Sequence, residues 1–377
     1  MKIAYIHDVI YPYVKGGAEK RVWEMARRLA ARGHEVHIFG MKYWDGDDVI
    51  EREGVHLHGV CDPQDLYVDG KRSIKTSLHF SWKLLWSFKG GFDVVDAQQF
   101  PYFPCFSAKF HSYLRKTPLV ITWYEVWDDY WYEYLGRKGF IGKWIEKWTT
   151  KLPYKIVPIS ERIRDDLVSI GVGEDRMEVL PNGVDYSGIQ QIKGEKDFFD
   201  VLYAGRLSEH KNVDLLLEAV DQVRDVLPSI KCGIIGDGPE RDKLVKMTEE
   251  LSLGDNVKFL GFLEKDEEVM TKMKSAKVFV LPSSREGFPN TILEANACGV
   301  PVIVVDSDKN AGVEAVKDGV NGAVCRLSAD SMATSIIRLL DGGLYKKMSD
   351  QSRENARKHD WDIIVNKIEM IYDGLVR

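Results

Sequence analysis

The chain has 377 residues, and because domains average about 150 residues, this length predicts two domains. Its content of 44% hydrophobic and 29% charged residues is typical of a globular protein and excludes disordered, collagen-like and repeat-array classes. The 52 Lys and Arg against 58 Asp and Glu give a net charge of −6, which argues against nucleic acid as a partner because duplex binders carry a basic surface.

The cysteines and the N-terminus bear on metal binding and on the cellular compartment. The five cysteines are widely spaced, so they predict neither a zinc site nor a disulfide framework. The opening residues Met1–Asp8 lack a signal-peptide pattern, and no run reaches the roughly 18 apolar residues of a membrane span. We therefore expect a cytoplasmic protein whose only membrane contact is peripheral, at the inner face.

The first half of the chain alternates short β-branched or aromatic runs with helical segments. Its first helix is predicted over Ala18–Arg32, where apolar residues recur at helical spacing and Gly33 follows. This alternation predicts a doubly wound parallel sheet of the α/β class. Its strands are predicted at Lys2–His7, Glu35–Phe39, Val55–His58, Asp93–Asp96, Leu119–Thr122, Lys155–Pro158 and Met177–Leu180.

The second half repeats the alternation and predicts a second doubly wound sheet. The polar, glycine-marked residues 186–196 have no strand or helix period, so they are predicted as the linker between domains 1–185 and 186–358. Strands are predicted at Asp200–Tyr203, Lys231–Ile235, Val257–Leu260, Val278–Leu281, Pro301–Val305 and Gly322–Cys325. Helices are predicted at Val213–Val226, Glu240–Glu250, Asp266–Ser275, Thr291–Ala297 and within the C-terminal segment 331–377.

Gly16 and Gly17 stand between the first strand and the first helix. Residues without side chains let a phosphate or sugar approach a helix N-terminus, and a tight turn would require glycine equally well. The chain contains neither a G-x-G-x-x-G nor a G-x-x-x-x-G-K-[ST] motif. Nicotinamide-cofactor and P-loop functions therefore lose their main support.

Two cations follow the first strand of the second half. Arg206 comes directly after Gly205, and Lys211 follows just before the next helix. Doubly wound folds bind ligands at the carboxyl ends of their strands, so the pair suits a diphosphate. Solvated surface charges are the alternative interpretation.

The segment Ser283–Ala295 places two carboxylates around a helix start. Glu286 lies on a loop after a strand, and Glu294 lies in the following helix. Carboxylates accept hydrogen bonds from vicinal hydroxyls, and free N–H groups at the helix start suit a phosphate, so the segment predicts a sugar-nucleotide site. Two solvated glutamates are the alternative.

Tryptophans concentrate in the first domain. Aromatic faces stack on sugar rings, and Trp and Tyr also settle at membrane interfaces beside lysines. The cluster therefore indicates either an acceptor site for a glycan or a lipid-linked glycan, or core packing. Its tryptophans are Trp82, Trp86, Trp123, Trp127, Trp131, Trp144 and Trp148, and the nearby lysines are Lys83, Lys89, Lys143 and Lys147.

Together these segments resemble the retaining GT-B glycosyltransferases of family 4, also called glycosyltransferase group 1. The resemblance covers nearly the whole chain and implies two Rossmann-like domains that face a deep cleft, with a C-terminal helix at about 359–377 crossing back to the first domain. Matching motifs are Gly16-Gly17-Ala18-Glu19, Arg32–Val36, Pro181–Asp185, Gly205-Arg206 with Lys211, Gly236–Glu240 and Glu286–Glu294 continuing to Val302.

The resemblance also implies roles for these residues. The donor would be a UDP-, GDP- or ADP-linked sugar, with Arg206 and Lys211 on its diphosphate, Glu294 on the ribose and Glu286 on the sugar. The remaining donor-binding residues would be Gly16, Gly17, Gly205, Phe262, Leu263, Gly287, Phe288, Pro289 and Asn290. The sugar would be a hexose, transferred with retention. No cofactor and no metal are expected, because cationic side chains stabilise the leaving diphosphate.

The chain departs from the family pattern at the usual active-site histidine. Relatives carry His-Ala-His and Thr-x-His-Asp, whereas this chain has Asp96-Ala97-Gln98 and Thr122–Glu125. Tyr124 and Glu125 are therefore candidate replacements, with Gln98, Trp123 and Trp127 on the acceptor side. The departure leaves two alternatives to a transferase: a non-catalytic protein that binds sugar nucleotides or glycans, and a sugar-nucleotide epimerase.

Overall fold

The computed structural model describes residues 1–68, 71–195, 199–340, 343 and 345–376. Contacts divide the chain into two units, one of Met1–Pro181 with Asp362–Arg377 and one of Asn182–Trp361. Lys196, in the predicted linker, and Arg377, at the end of the predicted C-terminal helix, lie outside the described residues. None of the helices in the described part of the chain is both long and apolar enough to cross a membrane.

The first unit is built on a seven-stranded sheet with the order β3-β4-β2-β1-β5-β6-β7. Its strands are β1 (Lys2–Ile6), β2 (Glu35–Gly40), β3 (Val49–Arg52), β4 (Val55–Gly59), β5 (Val94–Gln98), β6 (Leu119–Trp123) and β7 (Lys155–Pro158). All neighbours pair in parallel except β3, which is antiparallel to β4. The central strands are buried on both faces, as a parallel sheet covered by helices requires.

Helices cover this sheet, beginning with α1 (Gly17–Ala31), which buries Val22, Met25 and Leu29. The others are α2 (Ile74–Ser87), α3 (Phe103–Arg115), α4 (Tyr130–Leu135), α5 (Gly139–Thr149) and α6 (Glu161–Ser169). Short 3-10 helices cover Gly136–Lys138 and Glu174–Arg176, and Tyr67–Val68 pairs with Lys71–Arg72.

The second unit has a six-stranded parallel sheet with the order β10-β9-β8-β11-β12-β13. Its strands are β8 (Phe199–Ala204), β9 (Cys232–Ile235), β10 (Val257–Gly261), β11 (Ala276–Leu281), β12 (Val302–Asp306) and β13 (Gly322–Arg326). Arg285–Glu286 pairs with Lys309–Asn310 in a separate ladder. The strand order reverses between β8 and β11, which is where doubly wound sheets bind ligands.

The helices of the second unit follow its strands in the expected alternation. They are α7 (Tyr186–Gln191), α8 (Val213–Val226), α9 (Arg241–Glu250), α10 (Asp266–Lys274), α11 (Asn290–Cys298), α12 (Ala329–Leu340) and α13 (Tyr345–Lys358), with 3-10 helices at Glu209–Lys211 and Ala311–Ala315. The last helix, α14 (Trp361–Val376), begins at the final residue of this unit, and its other residues belong to the first unit.

Three sequence-based predictions are wrong in detail. Met177–Leu180 is not a strand, because it forms only an isolated bridge from Met177 to Ile156. The edge strand β3 went unrecognised, because it alternates between exposed and half-buried residues and contributes little to the core. The linker prediction fails over 186–191, where the Asp185 carboxylate accepts a hydrogen bond from the Gly188 N–H (3.1 Å) and caps α7.

Candidate active site

A glycine-dependent contact holds the loop that follows β8. The Gly205 N–H donates to the Ile235 carbonyl (3.0 Å), and the Leu207 N–H donates to the Asp237 carbonyl (2.9 Å). A Cβ built on Gly236, which has a φ of 131°, would lie 1.9 Å from the Gly205 oxygen. Only glycine permits this approach, and the approach holds the backbone on both sides of the exposed Arg206.

Lys211 and Glu286 bind each other across two loops. The Lys211 Nζ donates to the Glu286 Oε1, and the two side chains are only 17% and 12% exposed. The Asn212 amide donates to the Pro282 carbonyl (3.0 Å), and the Ser284 N–H donates to the His210 carbonyl (3.0 Å). The loops after β8 and β11 are therefore tied together around one half-buried ion pair.

The N-terminus of α11 leaves polar groups available beside this pair. Its N-cap is Pro289, which has no side-chain acceptor, and the Phe288 carbonyl accepts a hydrogen bond from Asn182 (2.9 Å). Among the described side chains, Asn290 Oδ1 and Ser283 Oγ are buried without a partner. Uncapped N–H groups and the helix dipole attract an anion.

The first unit holds a buried hydrogen-bond chain that ends at Tyr124. The Tyr124 hydroxyl donates to the Gln98 carbonyl oxygen, and the Gln98 amide donates to the Asp96 carboxylate (3.1 Å). Asp96 also accepts from the hydroxyls of Tyr372 (2.6 Å) and Thr122 (3.0 Å). The three residues that replace the family's histidines are thus connected to one another, and helix α14 completes the chain.

Two family models match nearly all of the sequence. The model for Glycosyltransferase Family 4 matches residues 15–187, and the model for glycosyl transferases group 1 matches residues 188–359. The chain belongs to the group 1, family 4 glycosyltransferases. It is 23% identical, over 98% of its own length and 80% of the relative's, to the phosphatidylinositol N-acetylglucosaminyltransferase gpi3 subunit of Schizosaccharomyces pombe.

Solved structures show the fold of this glycosyltransferase. Sucrose-phosphate synthase from Thermosynechococcus elongatus matches with a TM-score of 0.81 at 20% identity, over 99% of this chain and 98% of that one. HepE from Anabaena, solved with UDP-glucose, matches with a TM-score of 0.75 at 18% identity over the whole of both chains. The predicted GT-B fold of two Rossmann-like domains is confirmed.

The second unit of the glycosyltransferase contains most of the residues expected to bind the donor. Gly205, Arg206 and Lys211 follow β8, and Glu286–Asn290 follow β11 and lead into α11, where Glu294 is half-buried one turn along. Phe262, 61% exposed, and the half-buried Leu263 come directly after β10. Lys211 and Glu286, which are expected on the diphosphate and on the sugar of the donor, bind each other in this structure.

The glycine pair precedes α1 in the first unit. Gly16 is its N-cap, with an extended φ of −157°, and Gly17 is its first residue; both are exposed. A Cβ at Gly16 would lie 2.3 Å from the Glu19 carboxylate, so the side chain of Glu19 folds back over the loop. Both predicted reasons for glycine, the tight turn and an open helix N-terminus, are compatible with this geometry.

The two tryptophans expected on the acceptor side differ in accessibility. Trp123 is fully buried and donates its indole N–H to the Glu125 carbonyl (2.9 Å), so it has no exposed face for an acceptor, contrary to expectation. Trp127 is half-buried and donates its indole N–H to the Glu125 carboxylate (2.9 Å). Glu125 and Trp127 therefore form a polar contact beside Tyr124.

Glu146 organises the aromatic cluster and was missed by sequence reasoning. Its buried carboxylate accepts hydrogen bonds from the backbone of Trp127 (2.9 Å) and Asp128 (2.9 Å) and from the Tyr102 hydroxyl (2.7 Å). Burial raises the pKa of this carboxyl despite these donors. A lone glutamate in an amphipathic helix gives no local signal of this role.

Asp96 should make the stability of the first unit fall as pH rises. Burial raises the pKa of its carboxyl to about 6, against the opposing effects of the Tyr372 and Thr122 hydroxyls and of the buried Arg21. The unfolded value is about 3.9, so between pH ~4 and ~6 the folded state binds more protons than the unfolded state. As the pH rises from 4 to 7, we expect the free energy of unfolding of Asp96→Asn to increase relative to that of wild type by up to about 3 kcal/mol.

Urea unfolding of both proteins at several pH values between 4 and 7 checks this prediction. Because asparagine cannot accept all the hydrogen bonds that Asp96 accepts, the informative quantity is the change of the difference with pH rather than its value at one pH. Parallel stability curves for wild type and Asp96→Asn would contradict the prediction.

Proposed function

We propose that this glycosyltransferase is a retaining, metal-independent enzyme that transfers a hexose from a nucleotide-diphosphate sugar to a glycan or lipid-linked acceptor. The observation that carries the proposal is the Lys211–Glu286 ion pair, which joins the loops after β8 and β11 just before the uncapped N-terminus of α11, with Arg206 on the same loop as Lys211. Cations and free N–H groups at the carboxyl edge of a doubly wound sheet suit a diphosphate.

The donor is bound through its charges and hydroxyls. Arg206, Lys211 and the first N–H groups of α11 bind the diphosphate, and Glu294 accepts the ribose hydroxyls. Glu286 keeps lone pairs free beyond its bond to Lys211, so it accepts hydroxyls of the sugar while Lys211 orients it. Phe262 and Leu263, directly after β10, contact the base through their backbone. HepE, solved with UDP-glucose, supports a donor of this class.

The reaction proceeds on one face of the sugar and needs no protein nucleophile. The bond between the sugar and the diphosphate breaks as the acceptor oxygen bonds to the same carbon, and the acceptor proton passes to the leaving phosphate. Arg206 and Lys211 stabilise the charge that develops on that phosphate. These cations fill the electrostatic role of a metal, and Tyr124, held by Gln98, positions donor or acceptor hydroxyls.

The acceptor side of the proposal rests on a basic-aromatic surface. We define this surface as residues 74–89, which include α2, and residues 136–151, which include α5. It contains eight Lys and Arg, three in the first segment and five in the second, with Glu146 as its only acidic residue. Lys143 pairs with Asp128 (2.8 Å) and Asp129 (2.7 Å) and Glu146 is buried, so the positive charge of this surface comes mainly from the other seven cations, although the whole chain has a charge of −6.

Four tryptophans of this surface face solvent. Trp82 and Trp86 on α2 are 60% and 68% exposed, and Trp144 and Trp148 on α5 are 57% and 47% exposed. Core packing therefore explains the buried Trp123 and Trp131 but not the exposed four, whose rings pair as Trp82 with Trp86 and Trp144 with Trp148. Exposed tryptophans beside lysines are typical of proteins that lie on anionic bilayers.

An apolar cavity connects the two helices of the surface. It has a volume of about 140 Å³ and is lined by Ile74 and Ser77 of α2 and by Ile141 and Ile145 of α5, among others. Ile74 and Ile141 are also half-exposed at 49% and 43%. In this proposal a lipid-linked acceptor inserts part of its apolar chain here, and the name of the fission-yeast relative gives phosphatidylinositol as its acceptor.

The test combines nucleotide binding with transfer. Thermal unfolding is followed with UDP, GDP, ADP and dTDP in turn; a ligand at about 100 times its Kd adds ~2.7 kcal/mol, which shifts the midpoint by several degrees. We expect one nucleotide to raise the unfolding midpoint of wild type and to raise that of Glu294→Gln by less. Release of that diphosphate from its sugar donor only when an acceptor is added supports a transferase; conversion of the donor without acceptor supports an epimerase.

Binding of a nucleotide without transfer to any lipid or glycan acceptor would instead support the non-catalytic alternative. An unfolding midpoint that no nucleotide changes would overturn the donor site, because Arg206, Lys211 and Glu294 would then not bind a nucleoside diphosphate.

A further inference from the structure

Three histidines and a glutamate share one face of two neighbouring strands in the first unit. Glu35 and His37 belong to β2, and His56 and His58 belong to β4. The strands pair in parallel, with His37 opposite His56. Because alternate residues point to the same face, all four side chains lie together. None of them takes part in the proposed donor or acceptor sites.

The ligating atoms of three of these residues are close enough to share one ion. Those of Glu35, His37 and His56 all lie within 4.8 Å of one another, the only such group found in the described part of the chain. The His37 Nε2 is 3.0 Å from the Glu35 Oε1, and the His37 and His56 rings stack with centroids 4.7 Å apart. Zinc holds nitrogen and oxygen ligands at about 2.0–2.2 Å, so modest side-chain rotations complete the site.

The fourth residue, His58, orients His37. Its Nε2 lies 2.7 Å from the His37 Nδ1. If the His37 Nε2 binds a metal, its Nδ1 carries the proton and donates to His58, an arrangement typical of metal-ligating histidines. Phe92 packs its edge against His37 at 5.2 Å and limits rotation of the ring.

The three ligating residues differ in their exposure to solvent. His37 is buried, His56 is half-buried and Glu35 is exposed, so the site is held on one side and open to solvent on the other.

We propose that Glu35, His37 and His56 bind one zinc ion, with His58 orienting His37 and water completing the coordination. Two imidazoles and a carboxylate suit zinc better than magnesium or calcium, which prefer oxygen ligands. The ion joins β2 to β4 and stabilises the first unit, and the metal-independent transfer proposed above does not involve it.

Lys2 competes with the ion for Glu35. The Lys2 Nζ lies 2.7 Å from the Glu35 Oε1, and the two side chains are 34% and 49% exposed. An ion pair this exposed is weak, so zinc displaces Lys2 toward solvent. Removal of Lys2 should therefore tighten zinc binding, an effect that a purely structural histidine cluster does not predict.

The test uses the full chain, stripped of metal with a chelator and titrated with zinc chloride by calorimetry. We expect one zinc per chain, a higher unfolding midpoint with zinc and no such rise with magnesium. His58→Gln, which removes the hydrogen-bond partner of His37, should weaken zinc binding by roughly 10–100-fold. Glu35→Gln and His56→Gln, which each change a ligand, should weaken it at least as much. Lys2→Met should bind more tightly, and the matched control His79→Gln, on α2, should bind as wild type does.

Wild type that binds no zinc, or that binds it with the same affinity and stoichiometry as Glu35→Gln and His56→Gln, overturns the proposal. Because Glu35 and His56 are not buried, these variants should fold, and equal unfolding midpoints in chelator confirm it. Weaker binding in these two variants together with unchanged binding in His79→Gln supports the site.

Discussion

Arg206→Ala and Lys211→Ala should each lower kcat/KM for sugar transfer by about a hundredfold to a thousandfold, the range seen when one preorganised group that stabilises transition-state charge is removed. Both side chains are expected on the leaving diphosphate. Lys211→Ala should have the larger effect, because it also leaves the Glu286 carboxylate, 12% exposed, without its cation. Steady-state assays of diphosphate release measure both variants.

A double-mutant cycle separates the two roles of Lys211. Glu286→Gln removes the negative charge that Lys211→Ala leaves beside the donor phosphate, so the double variant should bind the nucleotide diphosphate more tightly than Lys211→Ala alone. Lys243 is the matched control, because it also pairs with a glutamate, Glu240 (2.9 Å), but on the surface of α9. Near-normal turnover in both Arg206→Ala and Lys211→Ala would rule out the diphosphate assignment.

Replacing Lys75, Lys83 and Lys147 together by Ala should weaken binding to anionic vesicles by roughly a hundredfold, because each basic side chain near an anionic surface contributes about 1 kcal/mol. All three side chains are exposed, so the fold should be retained. Trp82→Ala with Trp144→Ala should weaken binding further by removing apolar insertion. Co-sedimentation with phosphatidylglycerol vesicles measures both effects.

The controls for the vesicle experiment are another surface and another lipid. Lys246 and Lys265 in the second unit have side chains that are 76% and 77% exposed, and replacing them by Ala should leave vesicle binding unchanged. Pure phosphatidylcholine vesicles should bind the wild type poorly, and added salt should weaken binding to the anionic ones. Equal sedimentation of the wild type and the triple lysine variant would contradict the role of the basic-aromatic surface.

Local patterns were sufficient for the fold class and for the loops of the donor site. Strand, loop and helix follow one another within Val278–Ala297, so periodicity and turn residues place Glu286 and Glu294 at the carboxyl edge of a strand. The helix Val213–Val226 has the predicted bounds. The polar edge strand β3 and the helix capped by Asp185 were not predicted, because they bury little apolar surface and leave no periodic signal in the sequence.

Contacts between distant residues were beyond the reach of the sequence. The carboxylate of Asp96 accepts a hydrogen bond from Tyr372 of the last helix, and the sequence around neither residue indicates this partner. Likewise, the pairing of Lys211 with Glu286 depends on how two loops meet. Composition could not distinguish the buried Trp123 from the exposed Trp86, because exposure depends on which helix face meets the sheet.

The sequence by itself thus determined the two doubly wound domains, the family and the residue types at the donor loops, since these follow from short-range periodicity and from motifs in fixed order. Only the tertiary structure decided which charges meet, which tryptophans remain in solvent and which histidines share a face. The physical reason is that hydrogen bonds, ion pairs and burial depend on distances in space, and those distances are set by strand order and helix packing between residues far apart in the chain.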